Sequence, residues 1–97
     1  MPAYMLTFVR VHDHESHQKD YLPSAHAILH KHGGKALAVT EDIDVREGSM
    51  PQGRVILVEF PSKQAAEAFY NDPDYQPLKK LRSTLLDADM AIFDSGF

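Results

Sequence analysis

The sequence predicts a single α+β domain over residues 1–97, of the ferredoxin-like type. In that fold a four-stranded antiparallel sheet carries its helices on one face. The chain has the length of one domain and an ordinary globular composition, with 43% hydrophobic and 25% charged residues. Strand-like and helix-like segments follow the order β-α-β-β-α-β, which is the split βαβ arrangement. Two of the strand segments are apolar on both faces, so both faces of the sheet are expected to be covered.

The first strand and helix are predicted from periodicity. Residues 3–12 are rich in aromatic and branched side chains without Gly or Pro, which indicates a strand. Apolar residues within 14–32 recur at helical spacing, and Gly33-Gly34 ends that helix. With Asp20 as N-cap, Pro23 would stand at the third helical position, where its missing N–H costs little. An earlier helical turn, followed by a kink, is an equal alternative.

The middle of the chain predicts two more strands. Residues 35–40 form one, which residues 43–47 extend after a bulge or turn. Residues 48–53 have the Gly, Pro and Ser content of a loop. Residues 54–60 are the clearest strand in the chain and are again apolar on both faces.

The last third predicts a helix, a break, a second helical stretch and a strand. Ser62 is the expected N-cap of the helix. The Asn71-Asp72-Pro73 segment interrupts it, and Asp74 is the expected cap of a further helix that runs to about Leu86. Residues 89–94 form the last short strand.

The apolar second face predicts an assembly. If both helices cover one face of the sheet, strands 3–12 and 54–60 leave a contiguous apolar patch on the other, which monomers rarely expose. We therefore expect a homodimer through the open sheet face, with the two sheets packed against each other. The alternative is a monomer whose loop, residues 41–53, folds over the sheet.

Composition excludes several classes of function. The chain has no cysteine, so disulfides, thiolate zinc sites, iron–sulfur clusters and cysteine nucleophiles are ruled out. Its formal charge of −4 argues against nucleic acid as a partner. No apolar run approaches the roughly 20 residues of a membrane span. Residues 1–8 lack the basic region and cleavage site of a signal peptide. We expect no membrane partner.

One group of motifs carries a family resemblance. The motifs are Glu59-Phe60-Pro61-Ser62, Ala68-Phe69-Tyr70, Pro73-Asp74-Tyr75-Gln76-Pro77-Leu78 and Leu81-Arg82. They resemble the "domain of unknown function 1330" family of the dimeric α+β barrel superfamily, and the resemblance covers essentially the whole chain. It implies a bacterial, cytoplasmic homodimer and no settled activity. The superfamily includes cofactor-free monooxygenases, lactone isomerases and haem-dependent enzymes, so function has to be argued from the site.

Arg82 is the first candidate for ligand binding. On a helical wheel it lies within the apolar stripe of the last helix, about 20° from Tyr75 at roughly 100° per residue. A guanidinium there must be paired or must line a cavity. It could anchor a carboxylate or an enolate, whose geometry its planar fork matches. The structural alternatives are an ion pair with Glu59 or Glu47, or extension of the side chain to the rim.

Other candidates for catalysis flank the helix break and end the first strand. Tyr70 and Tyr75 could donate hydrogen bonds to a developing oxyanion, although a buried tyrosine more often only packs. Arg10 and His12 share a strand face with Phe8. If that face points into the barrel, Arg10 could contact the ligand and His12 could act as general base. If the strand instead emerges into solvent there, neither has such a role.

The six histidines are weak evidence for a metal. His26 and His30 are one helical turn apart, but they lie opposite the apolar stripe. We therefore predict no metal site and no cofactor. The predicted function is that of a small homodimeric enzyme without a cofactor, acting on a small anionic or enolisable organic molecule. The alternatives are a non-catalytic module that binds a small ligand, and a structural or stress-related dimer.

Overall fold

The four strands form one antiparallel sheet in the order β2-β3-β1-β4. A computed structural model of the chain describes residues 1–96. Its strands are β1 (Ala3–Val11), β2 (Lys35–Thr40), β3 (Arg54–Phe60) and β4 (Leu86–Asp94). Its α-helices are α1 (His14–Ser16), α2 (Leu22–Lys31), α3 (Lys63–Tyr70) and α4 (Gln76–Leu85), with a π-helical turn, His17–Tyr21, between α1 and α2. The predicted ferredoxin-like α+β fold is confirmed.

The central strand β1 separates the two faces of the sheet. Met5, Thr7 and Val9 are buried, whereas the alternate residues Leu6 and Phe8 are only partly buried. The buried set lies on the face that the helices cover, since Met5 belongs to the same core cluster as residues of α2, α3 and α4. The other set lies on the face without helices, which we call the open face.

The first helical segment begins at the earlier of the two predicted positions. The Asp13 carboxylate accepts a hydrogen bond from the Ser16 backbone N–H at 3.1 Å, so Asp13 rather than Asp20 caps it. In the π-helical turn, the backbone N–H of Leu22 donates to the carbonyl of His17, five residues back. This wider turn precedes Pro23, which has no N–H to donate. Both ends of the turn, His17 and Tyr21, are buried.

Two predictions on β2 were wrong, whereas the prediction for β3 was right. The segment 43–47 does not extend β2 and is exposed throughout. The expected irregularity lies within β2 instead, where the register against β3 shifts between Ala36 and Ala38. After the loop, β3 begins at Arg54 as predicted, and it pairs with β1 over its full length.

The break between α3 and α4 is held by a carboxylate other than the predicted one. Ser62 is the N-cap of α3, and its hydroxyl oxygen accepts from the Ala65 N–H at 3.1 Å. Asp74, the predicted cap of α4, instead donates its own backbone N–H to the Asp72 carboxylate at 2.8 Å. Strand β4 begins at Leu86, directly after α4, three residues earlier than predicted.

Candidate functional site

A cavity of about 240 Å³ lies between the helices and the sheet face they cover. Its apolar wall comes from all four strands and from α2, α3 and the π-helical turn. Its polar side chains are Thr7, His17, Tyr21, His26, Arg54, Tyr75 and Arg82. No aspartate or glutamate of the described chain is among the lining residues. The cavity therefore combines an apolar body with cationic and hydroxyl groups, a combination that suits an anionic organic ligand.

Two tyrosines from distant elements meet in this cavity. The hydroxyl oxygens of Tyr21 and Tyr75 lie 2.6 Å apart, so one donates to the other. Tyr75 is 1% exposed, and its ring lies 4.6 Å from that of Phe69. Burial raises the pKa of Tyr21 far above its ordinary value, and Tyr75 adds to the rise, while the Arg82 guanidinium opposes it. Tyr21 therefore keeps its proton at neutral pH and remains a hydrogen-bond donor.

Arg82 lines the cavity and has no carboxylate partner in the described part of the chain. Within residues 1–96, the ion pairs of the structure join other residues, and neither Glu59 nor Glu47 pairs with it. Glu59 lies on the open face, opposite Tyr4 of β1. The influence of Arg82 on the pKa of Tyr21 includes a side-chain hydrogen bond. The guanidinium is therefore held beside the tyrosine pair with its charge uncompensated by any of these carboxylates.

His17 is the histidine of the cavity, and sequence reasoning assigned it no chemical role. The residue is 5% exposed, and its ring stacks on that of Tyr21, with ring centroids 5.4 Å apart and planes 16° apart. Burial lowers the pKa of His17, and the positive charges of Arg54 and His14 lower it further. Its ring contacts Tyr21 and borders the cavity. His17 is thus a neutral imidazole at pH 7, available to a ligand.

Arg54 is the second arginine of the cavity and was also missed. It is the first residue of β3 and shares the helix-covered face with Ile56. Gly53, just before it, has φ +114°, and a Cβ there would lie 2.3 Å from the carbonyl oxygen of Val9. Only glycine lets the chain enter β3 this close to β1. Arg54 makes one long contact, 3.6 Å from the Glu41 carboxylate.

Sequence signals for these two residues exist but are faint. His17 stands four positions before Tyr21, the spacing of neighbours on one helix face. Arg54 stands two positions before Ile56, the spacing of neighbours on one strand face. Neither spacing says that the face borders a cavity.

The structure places three of the predicted site residues outside the cavity. Arg10 lies on the open face, where its Nη2 is 2.9 Å from Asp89 and its Nη1 donates to the Gln52 carbonyl. His12 follows β1, is exposed, and has its Nε2 2.9 Å from Asp87. For Arg10 the reason is strand alternation, because the even-numbered residues of β1 point away from the helices. His12 lies beyond the end of β1.

Tyr70 is also outside the cavity lining, although it neighbours Tyr75. Its ring centroid lies 6.4 Å from that of Tyr75, and the Lys79 ammonium lies 3.8 Å above its ring. Of the residues predicted for the site, Tyr75 and Arg82 are therefore brought together, and Arg10, His12 and Tyr70 are not.

The described residues offer no ready metal centre. In the range 1–96, no three His, Asp or Glu side chains come together in a way that could hold a metal ion. His26 lies at the exposed side of the cavity lining, and His30 is exposed as well. Over the same range, no helix has the length and apolar character that crossing a membrane requires.

The structure is a ferredoxin-like α+β domain with a cavity beneath its helices that two arginine side chains line. The model of the family named Domain of unknown function (DUF1330) matches residues 2–95. The chain belongs to this family, as the resemblance of its motifs predicted. Comparison with the curated proteins gives no match.

Solved structures share the fold at low sequence identity. A protein of unknown function from Rhodopseudomonas palustris, RPA0582, is 20% identical with a TM-score of 0.76, covering 96% of this chain and 81% of that one. SnoaB, a cofactor-independent oxygenase from Streptomyces nogalater, is 14% identical with a TM-score of 0.68, covering 99% of this chain and 94% of that one. An antibiotic biosynthesis monooxygenase is 16% identical with a TM-score of 0.52, covering 98% of each chain. At these identities the likeness is one of fold.

Proposed function

We propose that the protein is a homodimeric enzyme that uses its own side chains as acid and base on a small, anionic, enolisable organic molecule. One observation carries the proposal. A buried imidazole, His17, lines an apolar cavity beside two tyrosine hydroxyls and Arg82, with no carboxylate in the described lining. A neutral base next to hydrogen-bond donors and a cation is what proton abstraction beside a carbonyl requires.

The proposed reaction begins with proton transfer to His17. A ring nitrogen takes a proton from the carbon next to a carbonyl group, and the electron pair of the broken C–H bond moves onto the carbonyl oxygen. The resulting enolate oxygen accepts a hydrogen bond from the Tyr21–Tyr75 pair, and Arg82 stabilises the negative charge. The imidazolium then returns the proton to a different atom of the enolate. This isomerisation needs no oxidant or reductant, and His17 ends as it began.

Two further observations support the proposal. The pKa of His17 is lowered, so the ring is in its basic form at neutral pH. SnoaB, whose fold this chain shares, is a cofactor-independent oxygenase, so the fold accommodates an enzyme of that kind. The proposed place of action is the bacterial cytoplasm, which the family resemblance implies.

Deuterium exchange tests the proposed reaction directly. The wild-type protein is incubated in D2O with a 2-oxo acid, a 3-oxo acid and a cyclic 1,3-diketone. Proton NMR measures how far the rate of deuterium incorporation next to each carbonyl exceeds the rate in a sample without protein, and this excess is the exchange rate compared below. We expect exchange of at least one compound, and about a 100-fold slower rate for His17→Gln. His30→Gln, an exposed histidine of α2 outside the lining, is the matched control and should exchange at the wild-type rate. Thermal unfolding of both variants establishes that they are folded.

The other outcomes separate the rival functions. Binding of a compound without exchange by the wild type would favour the non-catalytic binding module. Absence of both binding and exchange across all three compounds would favour a structural dimer. Loss of exchange in His30→Gln as well as His17→Gln would remove His17 from the proposed role.

The proposed dimer uses the open face. Tyr4, Leu6 and Phe8 of β1 lie there only partly buried, beside Leu57 of β3 and the exposed Phe93 of β4. These side chains form the kind of contiguous apolar surface that a second copy covers. Light scattering at micromolar concentration should give twice the 10.9 kDa chain mass. Leu6→Arg should return a monomer, and Val45→Arg, in the exposed loop, should not. A wild-type mass of one chain would overturn the dimer.

A further inference from the structure

The cavity contains a second cation that the proposed reaction has not used. Arg54 and Arg82 both line it, and the described lining contains no carboxylate that could pair with either of them. One arginine suffices to hold one carboxylate. Two arginines with no acidic neighbour in the lining suit a ligand with two negatively charged groups.

The backbones of the two arginines lie near the same end of the sheet. Arg54 is paired with Val9 near the end of β1. Leu86, the first residue of β4, is paired with Val11 at that same end, and its backbone N–H donates to the carbonyl of Arg82. Both side chains therefore start from the end of the sheet where β1 finishes.

The stacked pair of rings connects the two arginines. The charge of Arg54 acts on His17, and that of Arg82 acts on Tyr21. The two rings are in contact, with centroids 5.4 Å apart. The cations thus flank the base and its neighbouring hydroxyl. The lining toward the other end of the sheet is apolar, where Met5 of β1 is paired with Val58 of β3.

We infer that the ligand is an apolar molecule whose polar end carries two adjacent acceptor groups, as in a 2-oxo acid, and that Arg54 binds one of them. This inference rests on the proposed function and narrows its substrate class. A 2-oxo acid brings one carboxylate, and removal of its neighbouring C–H proton creates an enolate oxygen beside it. The deprotonated molecule then carries two adjacent negative charges, one for each guanidinium. Its apolar side chain occupies the other end of the cavity.

Glu41 competes with such a ligand for Arg54. Its carboxylate is 72% exposed and stands 3.6 Å from the guanidinium, at the start of the loop after β2. A contact this long and this exposed is weak. The second charge of the ligand should therefore replace Glu41 at Arg54 without a large cost, and Glu41→Gln should modestly tighten binding of a doubly charged ligand.

Stable aromatic acids test the inference without turnover. Calorimetry measures the affinities of benzoate, which has one carboxylate, of phthalate, which has two adjacent ones, and of terephthalate, which has two opposite ones. We expect phthalate to bind about tenfold more tightly than benzoate, and terephthalate no more tightly. Arg54→Met should remove the advantage of phthalate and leave benzoate unchanged. Arg46→Met removes an exposed arginine that pairs with Asp44 outside the cavity, and should change neither affinity.

The remaining outcomes tell the inference and the proposed function apart. Equal affinities for benzoate and phthalate, or equal losses of both in Arg54→Met, would overturn the inference while deuterium exchange could still establish the enzyme. An advantage for terephthalate would overturn it as well. A phthalate preference that depends on Arg54, in a protein without deuterium exchange, would support the doubly anionic ligand and contradict the catalytic role. Failure of all three acids to bind would count against both.

Discussion

The hydroxyl oxygens of Tyr21 and Tyr75 lie 2.6 Å apart although the two residues are 54 positions apart in the sequence. The contact joins the π-helical turn to the residue that precedes α4. The contact is buried, so each hydroxyl group is hydrogen-bonded to the other hydroxyl instead of to water. The pair therefore has a structural role in addition to the donor role proposed for catalysis.

Removal of either hydroxyl should leave the other without its buried partner. We expect Tyr21→Phe and Tyr75→Phe each to lower the free energy of unfolding by about 1–2 kcal/mol. The double variant should cost about as much as one single variant, because the contact is lost only once. Urea denaturation of the four proteins measures the coupling. Additive losses would mean that the two hydroxyls do not depend on each other.

Stability should fall on acidification through the protonation of His17. Its pKa is lowered in the folded protein by burial, by Arg54 on β3 and by His14 on α1, and Arg82 of α4 lines the same cavity. The unfolded chain therefore binds this proton more readily than the folded one. The contribution of the neutral ring is complete above the unfolded pKa of 6.5 and is lost as pH falls towards the lower folded value.

Thermal unfolding between pH 4.5 and 8 measures this effect. The melting temperature of the wild type should fall below pH 6.5 more steeply than that of His17→Gln. His30→Gln should follow the wild-type curve. Parallel curves for wild type and His17→Gln would contradict the lowered pKa.

Protonation of Asp72 should cause a second loss of stability, at lower pH than the loss caused by His17. Its buried carboxylate contacts His32 Nε2 at 2.6 Å and Lys31 Nζ at 3.1 Å, and accepts the backbone N–H of Asp74. The hydrogen bond from His32, followed by that from the Asp74 backbone, lowers the pKa of Asp72 to about 2. Its stabilising contribution is present above the unfolded value of 3.8 and is lost as pH falls towards 2.

Asp72→Asn should lower the melting temperature at pH 7 by several degrees, because it removes the ionic contacts that tie the end of α2 to the α3–α4 turn. It should also flatten the loss of stability between pH 4 and 2. Asp74→Asn is the matched control, since only the backbone N–H of Asp74 takes part in this network. Equal effects of the two substitutions would show that the carboxylate of Asp72 has no special role.

Gly53 and Gly48 form a natural pair for testing how Arg54 is positioned. Both have positive φ, +114° and +71°, but a Cβ on Gly48 would meet nothing within 4 Å. Gly48→Ala should cost about 1 kcal/mol through backbone strain alone. Gly53→Ala should cost about 3 kcal/mol, because its Cβ also collides with the Val9 carbonyl. Gly53→Ala, but not Gly48→Ala, should reduce the preference for phthalate in calorimetry. Equal costs would mean that the chain relaxes around Gly53.

The sequence was sufficient for the fold and insufficient for half of the site. Alternation along residues 3–12 correctly grouped Phe8, Arg10 and His12 on one face. It could not say which face the helices cover, because both faces are apolar. Which face the helices cover depends on how β1 pairs with its neighbours. Because the structure puts the odd-numbered face of β1 beneath the helices, the candidate base is His17 and not His12.

Arg82 was predictable because a cation within an apolar helical stripe is conspicuous. The turn after α3 was not, since Asp72 and Asp74 have the same side chain and both can cap. Three-dimensional packing decides between them: Asp72 is buried against His32 and Lys31, and Asp74 is exposed.

The alternation of β1 determines which kinds of mutation this strand can accept during evolution. Thr7 borders the cavity, whereas Phe8 lies on the surface proposed for self-association. Adjacent residues of β1 therefore belong to two different surfaces. Point substitutions in β1 can therefore change the cavity lining and the open face independently. Deletion or insertion of one residue within β1 would instead move every following side chain to the opposite face of the sheet. The length of β1 is consequently far less free to vary than the identity of its residues.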